Sequence, residues 1–186
     1  MKVLITGVAG FVGRHLVLEL RAAGHEPVGF CLPGESAPEA IPTRHGDVAQ
    51  PGDLEAAFED FAPEGCVHLA GVSSVPRSWT APYETIQANV VGTLNVLDAI
   101  RRRPSVRCVV VTSSQIYGEV SSDEPLDETT PARPATPYAI SKAAADALAL
   151  CWARRYSLPV LTARPTNHIG PGQSTSFVIA SLALQL

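Results

Sequence analysis

Tyr138 and Lys142 are the pair with the clearest chemical potential, because a helix would place them on one face, one turn apart. The chain contains only two lysines against twelve arginines, so a lysine here indicates that the amine itself is needed. A phenol with a pKa near ~10 is a poor acid at neutral pH, and a neighbouring ammonium would lower that pKa. The ammonium can also donate to sugar hydroxyls as a compact donor. The spacing therefore predicts a proton-transferring phenol with a cationic partner, although ordinary helix surface pairs share it.

Three glycines mark a second candidate site. Gly7, Gly10 and Gly13 follow the apolar run of residues 2–7 and lead into a helical pattern. Glycine allows a tight turn, a close approach of the backbone to a diphosphate, and close packing of the helix against its strand. The first turn of the helix would add free N–H groups and a positive dipole end. The sequence therefore predicts a dinucleotide-binding turn.

The elements that must position these residues alternate between strand and helix. Strand patterns cover residues 2–7, 26–32, about 43–47, 66–71, 106–112 and 159–165. Long helices are predicted at residues 82–103 and 138–156, and a further helix begins near residue 177. Hydroxyl side chains end the fifth strand, where ligands bind in such sheets. We therefore expect an α/β fold, a Rossmann-type doubly wound parallel sheet, forming one dinucleotide-binding domain over residues 1–186.

The composition describes a folded domain and excludes several classes of function. Apolar residues make up 46% of the chain and charged residues 17%, and the net charge of −4 gives no general attraction to nucleic acid or anionic membranes. No apolar run reaches the ~20 residues of a membrane span, and the N-terminus lacks a signal-peptide pattern. The four cysteines lie far apart without metal spacing. We expect a cytoplasmic protein with reduced, buried thiols and no metal.

The glycine spacing, with two residues between Gly7 and Gly10, resembles that of the extended short-chain dehydrogenase/reductase family of nucleotide-sugar epimerases, dehydratases and reductases. The segments HLAG, PYAISKAAA and RPTNHIGPGQ extend the resemblance over essentially the whole chain. Within the family, NHIGPGQ followed by SFVIAS is most similar to the GDP-6-deoxy-4-keto-mannose reductases, relatives of GDP-mannose 4,6-dehydratase. The resemblance implies that a substrate-binding region begins near residue 165.

The resemblance also implies roles for individual residues. Ser113, Tyr138 and Lys142 would be catalytic, with the Ser113 hydroxyl holding the substrate oxygen beside the phenol. Ser114 and Asn167 would contact the nucleotide-sugar. The cofactor-binding set would comprise Gly7, Gly10, Phe11, Val12, Gly13, Asp47, Val48, Leu69, Ala70, Gly71, Tyr138 and Lys142. For Asp47, a polar cap at a strand end is nearly as good an explanation. Asn89 is expected to be structural, and His68 a hydrogen-bonded core histidine.

The expected reaction is NAD(P)-dependent reduction of the 4-keto group of a nucleotide-linked deoxysugar, of the GDP-4-keto-6-deoxymannose type, with Tyr138 as proton donor. A 4,6-dehydratase needs an acid and a base to eliminate water, and the family supplies carboxylates directly after the catalytic hydroxyl residue. Ser114 and Gln115 occupy those positions here, which favours a reductase. A nucleotide-sugar 4-epimerase or 4,6-dehydratase is the alternative. A truncated, non-catalytic dinucleotide-binding module is the alternative of another class.

The choice between NAD and NADP is left open by the sequence. Cys31 ends the second strand, where an acid that binds the adenosine ribose is expected, and no arginine is adjacent to bind a 2′-phosphate. The missing acid slightly favours NADP or tolerance of both cofactors. The chain also ends inside a helical pattern, so we expect a C-terminal truncation that removes most of the substrate region. The family resemblance implies a homodimer formed through the two long helices.

Overall fold

The computed structural model describes residues 1–38, 41–119 and 125–185. Six parallel strands form one sheet in the order β3-β2-β1-β4-β5-β6. The strands are β1 (Lys2–Thr6), β2 (Glu26–Cys31), β3 (Thr43–His45), β4 (Gly65–His68), β5 (Arg107–Val111) and β6 (Val160–Ala163). The helices are α1 (Phe11–Ala22), α2 (Pro51–Phe61), α3 (Val75–Thr80), α4 (Pro82–Ile86), α5 (Gly92–Arg101), α6 (Pro137–Tyr156) and α7 (Val178–Ala183). The strand order confirms the predicted doubly wound sheet.

Helices cover both faces of the sheet, which explains why the strands are apolar throughout. Leu4 of β1 packs in a core cluster with residues of α2 and α5, including Phe58 and Leu97. The next residue, Ile5, points to the other face and packs in a second cluster with Val17 of α1. Successive side chains of a strand alternate between faces, so a strand buried on both sides reads as a continuous apolar run.

The sheet reverses its direction of winding at β1, which pairs with β2 on one side and β4 on the other. Thr6 and His68 are register partners at the carboxyl ends of β1 and β4. In open α/β sheets, ligands bind in the crevice that opens at such a switch point. The fold therefore directs attention to the loops that follow β1, β4 and β5.

The helix predicted at residues 82–103 is interrupted, which corrects the sequence-based expectation. A π-helical turn, Gln87–Val91, separates α4 from α5, and α5 ends at Arg101. The turn contains Asn89, whose buried amide group bonds to the backbone of Val72 outside the helix. π-turns often occur at functional positions, where they re-aim a side chain.

Several boundaries and one burial prediction also need correction. The short helix α3 was not predicted; its N-cap is Ser74, whose hydroxyl accepts from Arg77 N at 3.3 Å. Strand β3 ends at His45 rather than Asp47, and β4 ends at His68 rather than residue 71. Cys151 is exposed on α6, whereas the other three cysteines are buried. No helix among the described residues is long and apolar enough to cross a bilayer.

A buried ion pair joins α6 to the end of β6. Arg164 donates through Nη2 and Nε to the Asp146 carboxylate at 2.7 and 3.0 Å, and Asp146 is 4% exposed. Thr112 Oγ1 donates to the same carboxylate at 3.2 Å. Arg164 also donates to Tyr117 Oη at 2.9 Å, and its guanidinium lies over the Tyr117 ring. The pair thereby connects α6 to the segments that follow β5 and β6.

We predict that Arg164→Ala destabilises the fold by about 3–5 kcal/mol, because the buried Asp146 carboxylate loses its counter-ion. The measurement is the free energy of unfolding from urea denaturation. Arg77→Ala is the matched control, since Arg77 pairs with Glu84 and both side chains are more than 60% exposed. That control is expected to cost about 0–1 kcal/mol. Equal losses in the two variants would contradict the prediction.

Candidate active site

The glycine turn between β1 and α1 is shaped by close contacts that exclude larger residues. Gly7 has φ +72°, and a Cβ there would lie 2.7 Å from the backbone nitrogen of Ala70. A Cβ on Gly13 would lie 2.6 Å from the Val8 carbonyl oxygen, so this glycine lets α1 pack against the turn. Gly10 is the N-cap of α1. The first helical N–H groups therefore point into the crevice, as an anion-binding turn requires.

The segment after β4 crosses directly over this turn. Leu69 N donates to Thr6 O at 3.1 Å, and Ala70 N donates to Thr6 Oγ1 at 3.3 Å. Gly71 follows, and a Cβ there would lie 2.4 Å from Asn89 Oδ1 and 3.8 Å from Lys142 Nζ. The three residues predicted to line the cofactor therefore lie between the glycine turn and Lys142.

His68 is part of a buried chain of hydrogen bonds. Its Nδ1 lies 2.7 Å from Thr6 Oγ1, and its Nε2 lies 3.1 Å from Thr93 Oγ1. Thr93 Oγ1 in turn donates to Asn89 O at 2.7 Å. Burial and the nearby Lys142 charge lower the pKa of His68 to about 3, so the ring is neutral. The prediction of a satisfied core histidine is confirmed.

Asn89 ties the π-turn to the segment after β4 and to α6. Its Oδ1 accepts from Val72 N at 2.8 Å, and its Nδ2 donates to Val72 O at 3.0 Å. The same Nδ2 donates to Ser141 Oγ at 2.9 Å, and Ser141 Oγ donates to Tyr138 O at 2.7 Å. The structural role predicted for Asn89 is confirmed, and the contact reaches the helix that carries Tyr138.

Tyr138 begins α6 and its phenol meets the end of β5. The residue is 8% exposed, and its side chain forms a hydrogen bond with Ser113, which is 7% exposed. Tyr138 N also donates to Oγ of the buried Ser78 at 3.1 Å. Burial raises the pKa of Tyr138, and the Ser113 hydrogen bond offsets part of that rise. The expected lowering of the phenol pKa is therefore wrong for this structure, because burial has the largest effect on that pKa.

Lys142 extends from α6 to the carboxyl end of β5. Its Nζ donates to Val111 O at 3.0 Å, and the residue is 9% exposed. Burial lowers the pKa of Lys142 from its ordinary value of 10.5 to about 8. Thus Ser113, at the end of β5, joins Tyr138 and Lys142 of α6 at the crevice beside Gly71.

Three other residues predicted for the site, Asp47, Val48 and Ser114, make contacts of different kinds. Asp47 Oδ1 accepts from Ala49 N at 2.9 Å, so the carboxylate caps a turn and is only partly exposed. Val48 is buried, and its carbonyl accepts from Asn95. Ser114 N donates to Pro165 O at 2.9 Å, which pairs the segments after β5 and β6.

An open cavity of about 490 Å³ lies at the start of α1. Phe11 and Val12 line one side of it, and Asn167 and His168 line the other. Asn167 is exposed and lines this cavity. The structure thus brings the proposed substrate-contacting asparagine to the glycine turn.

Two residues of the site were missed by sequence reasoning. The Ser78 hydroxyl accepts a hydrogen bond from the backbone nitrogen of Tyr138, and the Ser141 hydroxyl donates one to the Tyr138 carbonyl oxygen. Ser78 also donates to Val75 O at 2.7 Å within α3. Serine is too common to signal such a role, and only the packing of α3 and the π-turn against α6 reveals it.

The fold and these contacts define a Rossmann-type α/β domain with a buried Ser–Tyr–Lys cluster. Residues 3–186 match the NAD dependent epimerase/dehydratase family. The chain belongs to that family, as the sequence resemblance predicted.

Curated relatives include enzymes of two activities. The chain is 41% identical over 187 residues to the GDP-6-deoxy-D-mannose reductase of Pseudomonas aeruginosa, covering 100% of this chain and 58% of that enzyme. It is 32% identical over 191 residues to the dTDP-glucose 4,6-dehydratase of Neisseria meningitidis, covering 91% and 54%. The chain therefore spans less than two thirds of the length of these relatives.

Solved structures resemble the whole domain. The UDP-glucose 4-epimerase of Thermus thermophilus, in complex with NAD, superposes with a TM-score of 0.91 at 34% identity, covering 99% of this chain and 61% of that one. RMD from Pseudomonas aeruginosa, in complex with NADPH, gives 0.83 at 37% identity, covering 100% and 61%. The expectation of NAD or NADP as cofactor agrees with these relatives.

We predict that Lys142→Met stabilises the fold by about 2–3 kcal/mol at pH ~7, because it removes a buried charge. Between pH ~8 and ~10.5 the unfolded chain binds a proton that the folded chain has released. The cost of burying Lys142 therefore decreases, and the stability of the wild type rises, as the pH increases over this range. The advantage of the variant should therefore shrink over that range. Urea denaturation at pH ~7 and ~9.5 measures both effects.

Lys2→Met is the control, since Lys2 is the only other lysine and pairs with the exposed Glu26. It should change stability by about 0–1 kcal/mol at either pH. A Lys142→Met variant that is less stable than the wild type at pH ~7 would contradict the assignment of a depressed pKa.

Proposed function

We propose that this protein is an NAD(P)-dependent reductase of the 4-keto group of a nucleotide-linked deoxysugar, of the GDP-4-keto-6-deoxymannose type. The observation that carries the proposal is the convergence of Ser113, Tyr138 and Lys142 beside a glycine turn at the switch point of the sheet. The substrate class rests on the 41% identity to a GDP-6-deoxy-D-mannose reductase.

The residues present fit a dinucleotide. The close contacts of Gly7 and Gly13 with neighbouring backbone fix the tight turn, and Gly10, Phe11 and Val12 begin a helix whose N–H groups suit a diphosphate. The proposed nicotinamide side of the crevice is lined by residues 69–71 and by Lys142. The bound dinucleotide would supply the hydride; every other part of the reaction falls to the side chains.

Tyr138 is the proposed proton donor. Its raised pKa keeps the phenol protonated at neutral pH, which is the state that a reductase needs before it protonates the developing alkoxide. Ser113 already bonds to the phenol, so its hydroxyl would hold the substrate oxygen within reach of that proton. The Lys142 ammonium would stabilise the phenolate left behind and donate to the ribose of the cofactor.

The residues that follow Ser113 do not support a dehydratase. Ser114 and Gln115, directly after Ser113, carry no carboxylate that could serve the elimination of water. A nucleotide-sugar 4-epimerase is the second candidate, supported by the resemblance to the Thermus thermophilus epimerase. We further propose that residues from about 165 onward belong to the substrate-binding region.

A homodimer through α4, α5 and α6 completes the proposal. Tyr83, Ile86 and Ile140 are large side chains on these helices, exposed at 87%, 40% and 50%. Large exposed apolar side chains on helices that pack together are typical of an interface. A dimer mass in solution would support it, and a monomer mass would contradict it.

We predict that Tyr138→Phe lowers turnover of a GDP-4-keto-6-deoxy sugar by about 10²–10⁴-fold while NAD(P)H binding is retained, because only the proton donor is lost. NAD(P)H oxidation measures turnover, and nicotinamide fluorescence measures binding. Tyr156→Phe is the control, because Tyr156 is the last residue of α6 and is 42% exposed. Binding of NAD(P)H by the wild type without any turnover would instead support the non-catalytic module.

We predict that Gly10→Ala weakens NAD(P)H binding by about tenfold or more, because its methyl group would occupy the diphosphate position above α1. The fold should be retained, since Gly10 has φ −71° and its Cβ would approach the Gly7 carbonyl oxygen at 3.2 Å. Gly52→Ala in α2 is the control, where a Cβ meets open space. Unchanged binding in Gly10→Ala would place the diphosphate elsewhere.

A further inference from the structure

A carboxylate lies at the end of β2 even though the strand itself ends in Cys31. Residues 32–35 form a tight turn in which Glu35 N donates to Leu32 O at 3.1 Å and Gly34 has φ +86°. Pro33 and Gly34 are the residues that such a turn favours at its centre. The turn folds the Glu35 side chain back, and its Oε2 accepts from Leu32 N at 3.1 Å. The carboxylate thus lies at the first backbone amide after β2.

Glu35 is held in this position by β2 and β3. His45, the last residue of β3, donates through Nε2 to Glu35 O at 3.0 Å. The Cys31 thiol lies 3.9 Å from the same oxygen, and Gly46 N donates to Cys31 O at 2.9 Å. The backbone of Glu35 is therefore fixed, while its carboxylate stays exposed to solvent.

Arg14 lies at the same edge, which corrects the expectation that no arginine is adjacent. Its Nε donates to Ala9 O in the glycine turn at 3.0 Å, and its Nη2 donates to Ser36 O at 3.2 Å. The guanidinium thus joins the glycine turn to the residue after Glu35. Two of its donor atoms already bond to carbonyl oxygens. An anion at this position would also lie close to those carbonyl oxygens.

We infer that Glu35 replaces the acid that the end of β2 lacks and makes the site select NAD(H) over NADP(H). The inference rests on the proposed function, because it concerns the adenosine end of the same cofactor. An ionised carboxylate accepts hydrogen bonds from both ribose hydroxyls of NAD, whereas it repels the 2′-phosphate of NADP. The Arg14 guanidinium would attract the 2′-phosphate. Because two of its donor atoms already bond to Ala9 O and Ser36 O, we expect the repulsion by the Glu35 carboxylate to exceed that attraction.

The experiment is a pair of fluorescence titrations, with NADH and with NADPH, on the wild type and on Glu35→Gln. Glutamine keeps an oxygen that accepts from Leu32 N, so the turn is preserved and only the charge changes. The wild type is expected to bind NADH about tenfold or more tightly than NADPH, a difference set by one like-charge contact. Glu35→Gln should bring the ratio of the two dissociation constants to about one or below.

Glu19→Gln is the matched control, because Glu19 is exposed on α1 and its substitution changes the net charge by the same amount. Glu19→Gln should leave the ratio of the NADH and NADPH dissociation constants at the wild-type value. Adding Arg14→Gln to Glu35→Gln should remove the gained NADPH affinity.

The outcomes separate the two claims. A wild type that prefers NADPH, or a ratio that Glu35→Gln leaves unchanged, would overturn the inference while dinucleotide binding keeps the proposed function standing. A wild type that binds neither NADH nor NADPH would overturn the proposed function and the inference with it.

Discussion

The position of the Lys142 ammonium is the constraint on which the rest of the site depends. A primary amine is held at 9% exposure with its Nζ on the carbonyl of Val111, the last residue of β5. Burying an amine costs free energy, and the depressed pKa of Lys142 is the expression of that cost. The fold tolerates the cost because α6 is fixed at several other points. A cation is thereby fixed at the carboxyl edge of the sheet, where the loops after β1 and β4 also converge.

Buried contacts fix α6 at three positions along its length. At its start, the backbone of Tyr138 is bonded to Ser78 of α3. One turn further, Ser141 accepts from Asn89 of the π-turn. Beyond Lys142, the Asp146 carboxylate holds Arg164 and Thr112. Each of these hydrogen-bonded groups is buried or half-buried, where polar contacts restrict geometry most. The phenol and the amine are consequently positioned by the fold before any ligand binds.

Much of this arrangement could be predicted from residue patterns, because strand–helix alternation and glycine spacing carry direct steric meaning. The parallel sheet and the turn at Gly7 follow from such patterns, whereas the structural roles expected for Asn89 and His68 came with the family resemblance. The π-turn and the contacts of Ser78 could not be predicted, since they depend on tertiary partners distant in sequence. The predicted direction of the Tyr138 pKa shift was wrong for a related reason: sequence shows the neighbouring lysine but not the burial that raises the pKa. Glu35 was missed because a turn, not the strand, brings its carboxylate to the end of β2.

We propose that the phenol of Tyr138 and the amine of Lys142 face a dinucleotide whose diphosphate rests on the first turn of α1. A crystal structure of the protein with bound NADH is the decisive measurement. We expect the diphosphate over Gly10 and the nicotinamide half within about 3–4 Å of the Tyr138 hydroxyl and Lys142 Nζ. A dinucleotide bound away from α1, or a phenol oxygen turned away from the nicotinamide, would contradict it.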